Sequence, residues 1–175
     1  MEIVKHLTGD PAAVAVVHAL LLGLGATAIA DLAAAALHRL GGPPMPDYAL
    51  VGRWIAYMAR GRFRHERLSG APRAPREVAT GWAAHYVTGV AFAGLLTSIW
   101  GSGWLRAPTP GPALLVGIGT LALPLLVMQP AMGHGIAASR SPRPVAARLR
   151  SLVNHALFGI GLYLAGRVLS LALRP

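Results

Sequence analysis

Asp31, Glu77, His85 and His155 are the side chains in this sequence best suited to moving a proton or holding a metal ion, and Asp31, His85 and His155 interrupt apolar stretches. An aspartate at the centre of a membrane-spanning helix costs about 2.5–3.5 kcal/mol on insertion scales, so an ionisable residue there marks a site. Imidazole and carboxylate are also the groups of general acid–base catalysis and of proton relays. With His65 and His134 from the connecting segments, His85, His155, Asp31 and Glu77 form a nitrogen and oxygen ligand set that zinc, iron or manganese accepts. No HExxH or other tight ligand motif is present, so a metal site would have to be assembled between helices.

The elements that position these groups are apolar stretches at about 12–38, 81–100, 112–132 and 152–173. Each is near the ~20 residues that cross a hydrocarbon core as a helix. The chain is 54% hydrophobic and only 13% charged, against about 25% charged for a soluble domain. The expected fold is all-α: one transmembrane domain over residues 1–175, built as a four-helix bundle, with two tandem helical hairpins as an option. The absence of cysteine excludes disulfides, thiolate nucleophiles, iron–sulfur clusters and zinc-thiolate sites. The segment 1–10 lacks a basic n-region, and the apolar stretch after it is too long for a signal peptide, so the first stretch reads as a retained span.

A net charge of +10 would suggest nucleic acid in a soluble protein. Here the arginines follow a topological pattern. Arg53, Arg60, Arg62, Arg64, Arg67, Arg73 and Arg76 lie between the first two spans, and Arg140, Arg143, Arg148 and Arg150 between the last two. Arg106 stands alone in the middle connection and Lys5 alone before the first span. This asymmetry places both Arg-rich loops on the cytoplasmic side and both termini on the outer, periplasmic side. The basic charge then serves orientation and anionic lipid, with no role for nucleic acid. Asp31, His85, Gln129 and His155 all fall within roughly three helical turns of the inner interface.

Helical spacing puts Glu77, Gly81, His85 and Gly89 on one face, and Ser151, His155 and Gly159 on another. The stretches around His85 and His155 resemble each other, as do Leu21–Gly25 and Leu115–Gly119, which suggests a repeated hairpin. His85 and His155 would then be symmetry mates that converge on one pocket, with Glu77 or Asp31 completing it. In the long first inner loop, residues 48–60 form an amphipathic interfacial segment with Trp54 and Tyr57. It suits a surface helix or a lid over the polar centre. Arg53, Arg140 and Arg143 are the candidate headgroup-binding residues.

Val51-Gly52-Arg53-Trp54, Gly81-Trp82-x-x-His85-Tyr86, Met128-Gln129-Pro130-Ala131-x-Gly133, Ala137-Ala138-Ser139 and His155-x-x-Phe158-Gly159 run through nearly the whole chain. Together they resemble a bacterial family of small integral membrane proteins described only as a domain of unknown function. The resemblance implies an inner-membrane, four-span protein and brings no activity or site residues.

Three classes of function remain open. The first, which we favour, is a metal-dependent or acid–base enzyme acting on a lipid-like or other membrane-soluble ligand. The second is a haem b protein with His85 and His155 as axial ligands, the glycine four residues after each leaving room for porphyrin. The third is a carrier for protons, ions or small solutes, which with four spans requires a homo-oligomer.

Overall fold

The computed structural model describes residues 10–172; the N-terminal segment with Lys5, and Leu173 at the expected end of the last span, lie outside the described residues. Helix α1 (Pro11–Arg39) starts where Asp10 accepts a bond from the Ala12 amide at 2.9 Å and Pro11 fills the first turn. It stops at Gly41, whose φ of 87° turns the chain so that the Gly42 amide reaches the Leu37 carbonyl at 2.9 Å. Helix α2 (Tyr48–Met58) is capped by Asp47 and lies in the first Arg-rich loop. Helix α3 (Glu77–Arg106) is broken at Gly101 by a φ of 68°. Helix α4 (Pro110–Gly119) is continued by a wide π turn at Pro124–Met128 and one helical turn at Gln129–Ala131. Helix α5 (Pro144–Ala172) completes the chain. No strand occurs among the described residues.

Four helical stretches, Pro11–Arg39, Glu77–Arg106, Pro110–Ala131 and Pro144–Ala172, are long and apolar enough to cross a membrane. Their packing is that of a membrane bundle. Large apolar side chains such as Leu32, Val87, Leu115, Leu126 and Val168 point outward, while Ala26, Thr27, Ala30, Ala93, Ala113 and Ala165 are buried. Lipid removes the hydrophobic drive between helices, so close backbone packing through small residues replaces it. Helix α1 packs on α3 and α5, α4 packs on α5, and α2 folds back on α3.

The third span departs from the expected continuous helix. Pro124 has no amide to bond the Thr120 carbonyl, so the helix opens between Gly119 and the π turn. The Thr120 hydroxyl bonds the Val116 and Gly117 carbonyls, both at 2.9 Å. The fourth helix begins two turns before the expected apolar stretch, and those turns carry the exposed Arg148 and Arg150.

Candidate functional site

The site depends on how closely α2 approaches α3. A side chain at Gly52 would run into the Glu77 carbonyl, and one at Gly81 into the Tyr48 carbonyl. The two backbones therefore touch at a glycine pair, and α2 lies flat along the start of α3. A buried ion pair holds it there. Arg53 Nε donates to Glu77 Oε2 at 2.8 Å, and Nη2 donates to Oε1 at 2.9 Å. Arg53 Nη1 reaches the carbonyls of Leu68, Ser69 and Ala71, and the Ala74 amide donates to Glu77 at 2.9 Å. A planar guanidinium fits a carboxylate two-pronged, and here its remaining donors tie down the loop as well. The bonds to Glu77 hold Arg53 still more firmly in its charged form.

This clamp delivers Tyr48, the first residue of α2, into the bundle. Its hydroxyl lies 3.0 Å from His85 Nε2, and the same nitrogen is 3.0 Å from Asp31 Oδ1. A longer contact of 3.4 Å links the Tyr48 hydroxyl to Asp31 Oδ1. Asp31 comes from α1, His85 from α3 and Tyr48 from α2, so three elements meet at one imidazole edge. The other carboxylate oxygen, Asp31 Oδ2, is buried with no partner among the described residues. The Tyr48 ring stacks on the His85 ring at 4.2 Å between centroids, and Trp82 and Tyr86 pack around them. Burial, and then the charge of Asp31, push the Tyr48 hydroxyl above the ordinary phenol range, so it remains a proton donor.

Residues 20–169 match the family described as Protein of unknown function (DUF2938). The chain belongs to that family. No curated protein and no solved structure matches it. The DUF2938 match contains every residue of the Asp31–His85–Tyr48 centre and of the Arg53–Glu77 clamp.

Elsewhere in the DUF2938 domain the expected site residues are held separately. His155 Nδ1 lies 2.9 Å from the Gly117 carbonyl and 3.2 Å from the Thr120 hydroxyl, both on the third span. It shares no hydrogen-bond partner with His85, so the expected convergence of the two rings gives way to two separate attachments. Glu77 is committed to Arg53 and does not complete a pocket with either histidine. Arg53, expected at lipid headgroups, is buried with all three nitrogens engaged by protein. His65 packs edge-on against Tyr57 at 4.9 Å, and His134 sits in the second Arg-rich loop. No three His, Asp or Glu side chains among the described residues come close enough to hold a metal ion. The six-residue ligand set read from the sequence is thus dispersed, because its members are drawn to an arginine, a tyrosine or a backbone carbonyl. The room expected beside the histidines is also filled. A side chain at Gly89 would strike Thr27, and one at Gly159 would crowd the Ala113 carbonyl and Leu114, so these glycines seat neighbouring helices.

Tyr48 is the member of this cluster that sequence reasoning misses. Its signal was Gly52 and Gly81, which permit α2 to lie against α3, together with Arg53 and Glu77 as opposite charges flanking that contact.

Proposed function

We propose that Asp31, His85 and Tyr48 form an acid–base centre at the cytoplasmic end of the bundle and act on a membrane-soluble substrate. The observation that carries this reading is the His85 Nε2 atom, 3.0 Å from both a carboxylate and a phenol hydroxyl. With the proton on Nε2, His85 donates to Asp31, which fixes the tautomer and leaves Nδ1 as the base. This is the role a buried carboxylate plays for a catalytic histidine in other folds. When Nδ1 takes a proton from substrate, the positive charge forms beside Asp31 and is stabilised there. Tyr48, kept neutral, supplies a second hydroxyl hydrogen bond at the same edge. Asp31, His85 and Tyr48 are each only partly buried, so the centre is within reach of a ligand. The cost of keeping a carboxylate in a span supports a working role for Asp31.

Metal-dependent chemistry is the weaker form of this reading, since His85 and Asp31 gain no third His, Asp or Glu ligand among the described residues. The test is lipid analysis by mass spectrometry of cells producing the full chain, His85→Gln or Asp31→Asn at matched membrane levels. The expected result is a lipid class altered by the unmodified protein alone. An unaltered lipid profile, with proton flux into proteoliposomes that Asp31→Asn removes, would replace catalysis by a proton relay.

A further inference from the structure

Arg64, His65, Glu66, Pro130, Ile136 and Arg140 line an open cleft of about 420 Å³ at the Arg-rich end of the bundle. Its walls come from both Arg-rich loops and are locked together by backbone bonds. The His65 amide reaches the Ala131 carbonyl at 2.8 Å, and the Leu68 amide reaches the Met132 carbonyl at 3.1 Å. A side chain at Gly133 would strike the Glu66 carbonyl, so the two loops approach as closely as backbones can. On the second loop the Arg140 amide folds back to the His134 carbonyl at 2.8 Å, next to Ala137 and Ala138, both at positive φ. Non-glycine residues hold that conformation only where the surrounding structure imposes it.

The polar groups of this rigid cleft are uncommitted. Arg64, Glu66 and Arg140 are exposed, and their side chains form no ion pair or hydrogen bond among the described residues. His65 Nε2 is buried without a partner. Two guanidiniums against one carboxylate leave a single net positive charge beside the His65 ring.

We infer that this cleft binds a singly charged phosphate diester, its phosphate between Arg64 and Arg140 and its polar alcohol or amine toward Glu66 and His65. Guanidinium forks match phosphate oxygens, and the single net charge suits a diester better than a doubly charged monoester. Glycerophospholipid headgroups and their soluble deacylated forms share this chemistry. The site is separate from the Asp31–His85–Tyr48 centre: His65 packs on Tyr57, about 14 Å along α2 from Tyr48 at 1.5 Å per residue.

The test is calorimetric titration of the full chain in a non-ionic detergent with short-chain phosphatidylglycerol, glycerophosphoglycerol and inorganic phosphate. Both diesters should bind, inorganic phosphate should bind more weakly, and a preference for the acylated form would identify the lipid as the source. Arg64→Ala and Arg140→Ala should each weaken diester binding about tenfold or more. Arg150→Ala, exposed in the first turns of α5 and outside the cleft, should leave binding within about twofold of the unmodified chain. Glu66→Gln should narrow the gap between diester and inorganic phosphate. Neither cleft arginine forms a side-chain bond among the described residues, so the unfolding midpoint should not move. Unchanged binding in Arg64→Ala and Arg140→Ala, or an equal loss in Arg150→Ala, would overturn the site in favour of diffuse surface charge.

Discussion

In the α1–α3 hairpin, Gly23 lies against Gly89 and Val90; in the hairpin of the third and fourth spans, Gly117 lies against Gly159 and the His155 carbonyl. Each hairpin also carries a histidine one turn before the second glycine of its pair, His85 or His155. The packing solution is shared and the equipment is not. His85 meets a carboxylate and a phenol, whereas His155 meets a backbone carbonyl and a threonine. The difference originates outside the paired helices. Only the first hairpin has an Asp on its leading helix, and only its connecting loop returns a helix, α2, to the histidine. A histidine in a span is therefore easily satisfied by its own surroundings, and the proposed centre arises where a third element brings one a further partner.

The largest effect should come from removing that third element. Glu77→Gln leaves Arg53 buried without its carboxylate, which costs about 3–5 kcal/mol in comparable buried pairs. Denaturant titration in detergent should register this loss. Cross-linking between cysteines placed on α2 and α3 should fall, while cross-linking between the third and fourth spans persists. If both fall together, the clamp supports the whole bundle and the comparison of hairpins fails.

Overpacking comes next. Gly81→Ala forces α2 away from α3 at the Tyr48 carbonyl, with an expected loss of about 1–3 kcal/mol. Gly119→Ala, where a side chain meets nothing within 4 Å, should leave the unfolding midpoint unchanged or raised. Equal destabilisation by the two would remove the special status of the α2–α3 contact.

His155→Ala should be milder, about 0.5–1.5 kcal/mol, because the Thr120 hydroxyl still serves the Gly117 carbonyl. It should leave the lipid change intact where His85→Gln abolishes it. Loss of that change in both variants would return His155 to the site.

The smallest effect is spectroscopic. The fold favours neutral Tyr48, a contribution fully present below the ordinary phenol midpoint of about 10 and lost only as pH rises toward the elevated value. Tyr48→Phe should therefore show the same phenolate absorbance at about pH 11 as the unmodified chain. A deficit of one phenol would show that Tyr48 ionises normally.

Much of this organisation was legible in the sequence. Apolar length and low charge gave the four helices, and the cost of a carboxylate in a span singled out Asp31. The histidine and glycine pattern marked the faces on which the helices pack. It did not reveal partners, because helical spacing fixes which residues share a face and leaves open what that face meets. Glu77 and His85 share a face, yet Glu77 turns to Arg53 on α2 and His85 to Asp31 on α1. Opposite charges separated by a loop carry no periodicity, so Arg53 read as a headgroup ligand until the fold buried it. The break in the third span was foreshadowed by Pro124, whose effect the high hydropathy of its surroundings concealed.

The most direct test of the central claim is nuclear magnetic resonance of the full chain in nanodiscs with nitrogen-15 histidine, following His85 and His155 together. A hydrogen-bonded Nε2 proton on His85 should shift in Asp31→Asn and again in Tyr48→Phe, while His155 keeps its resonances in both. A His85 signal indifferent to both substitutions, or equal shifts at the two histidines, would contradict it.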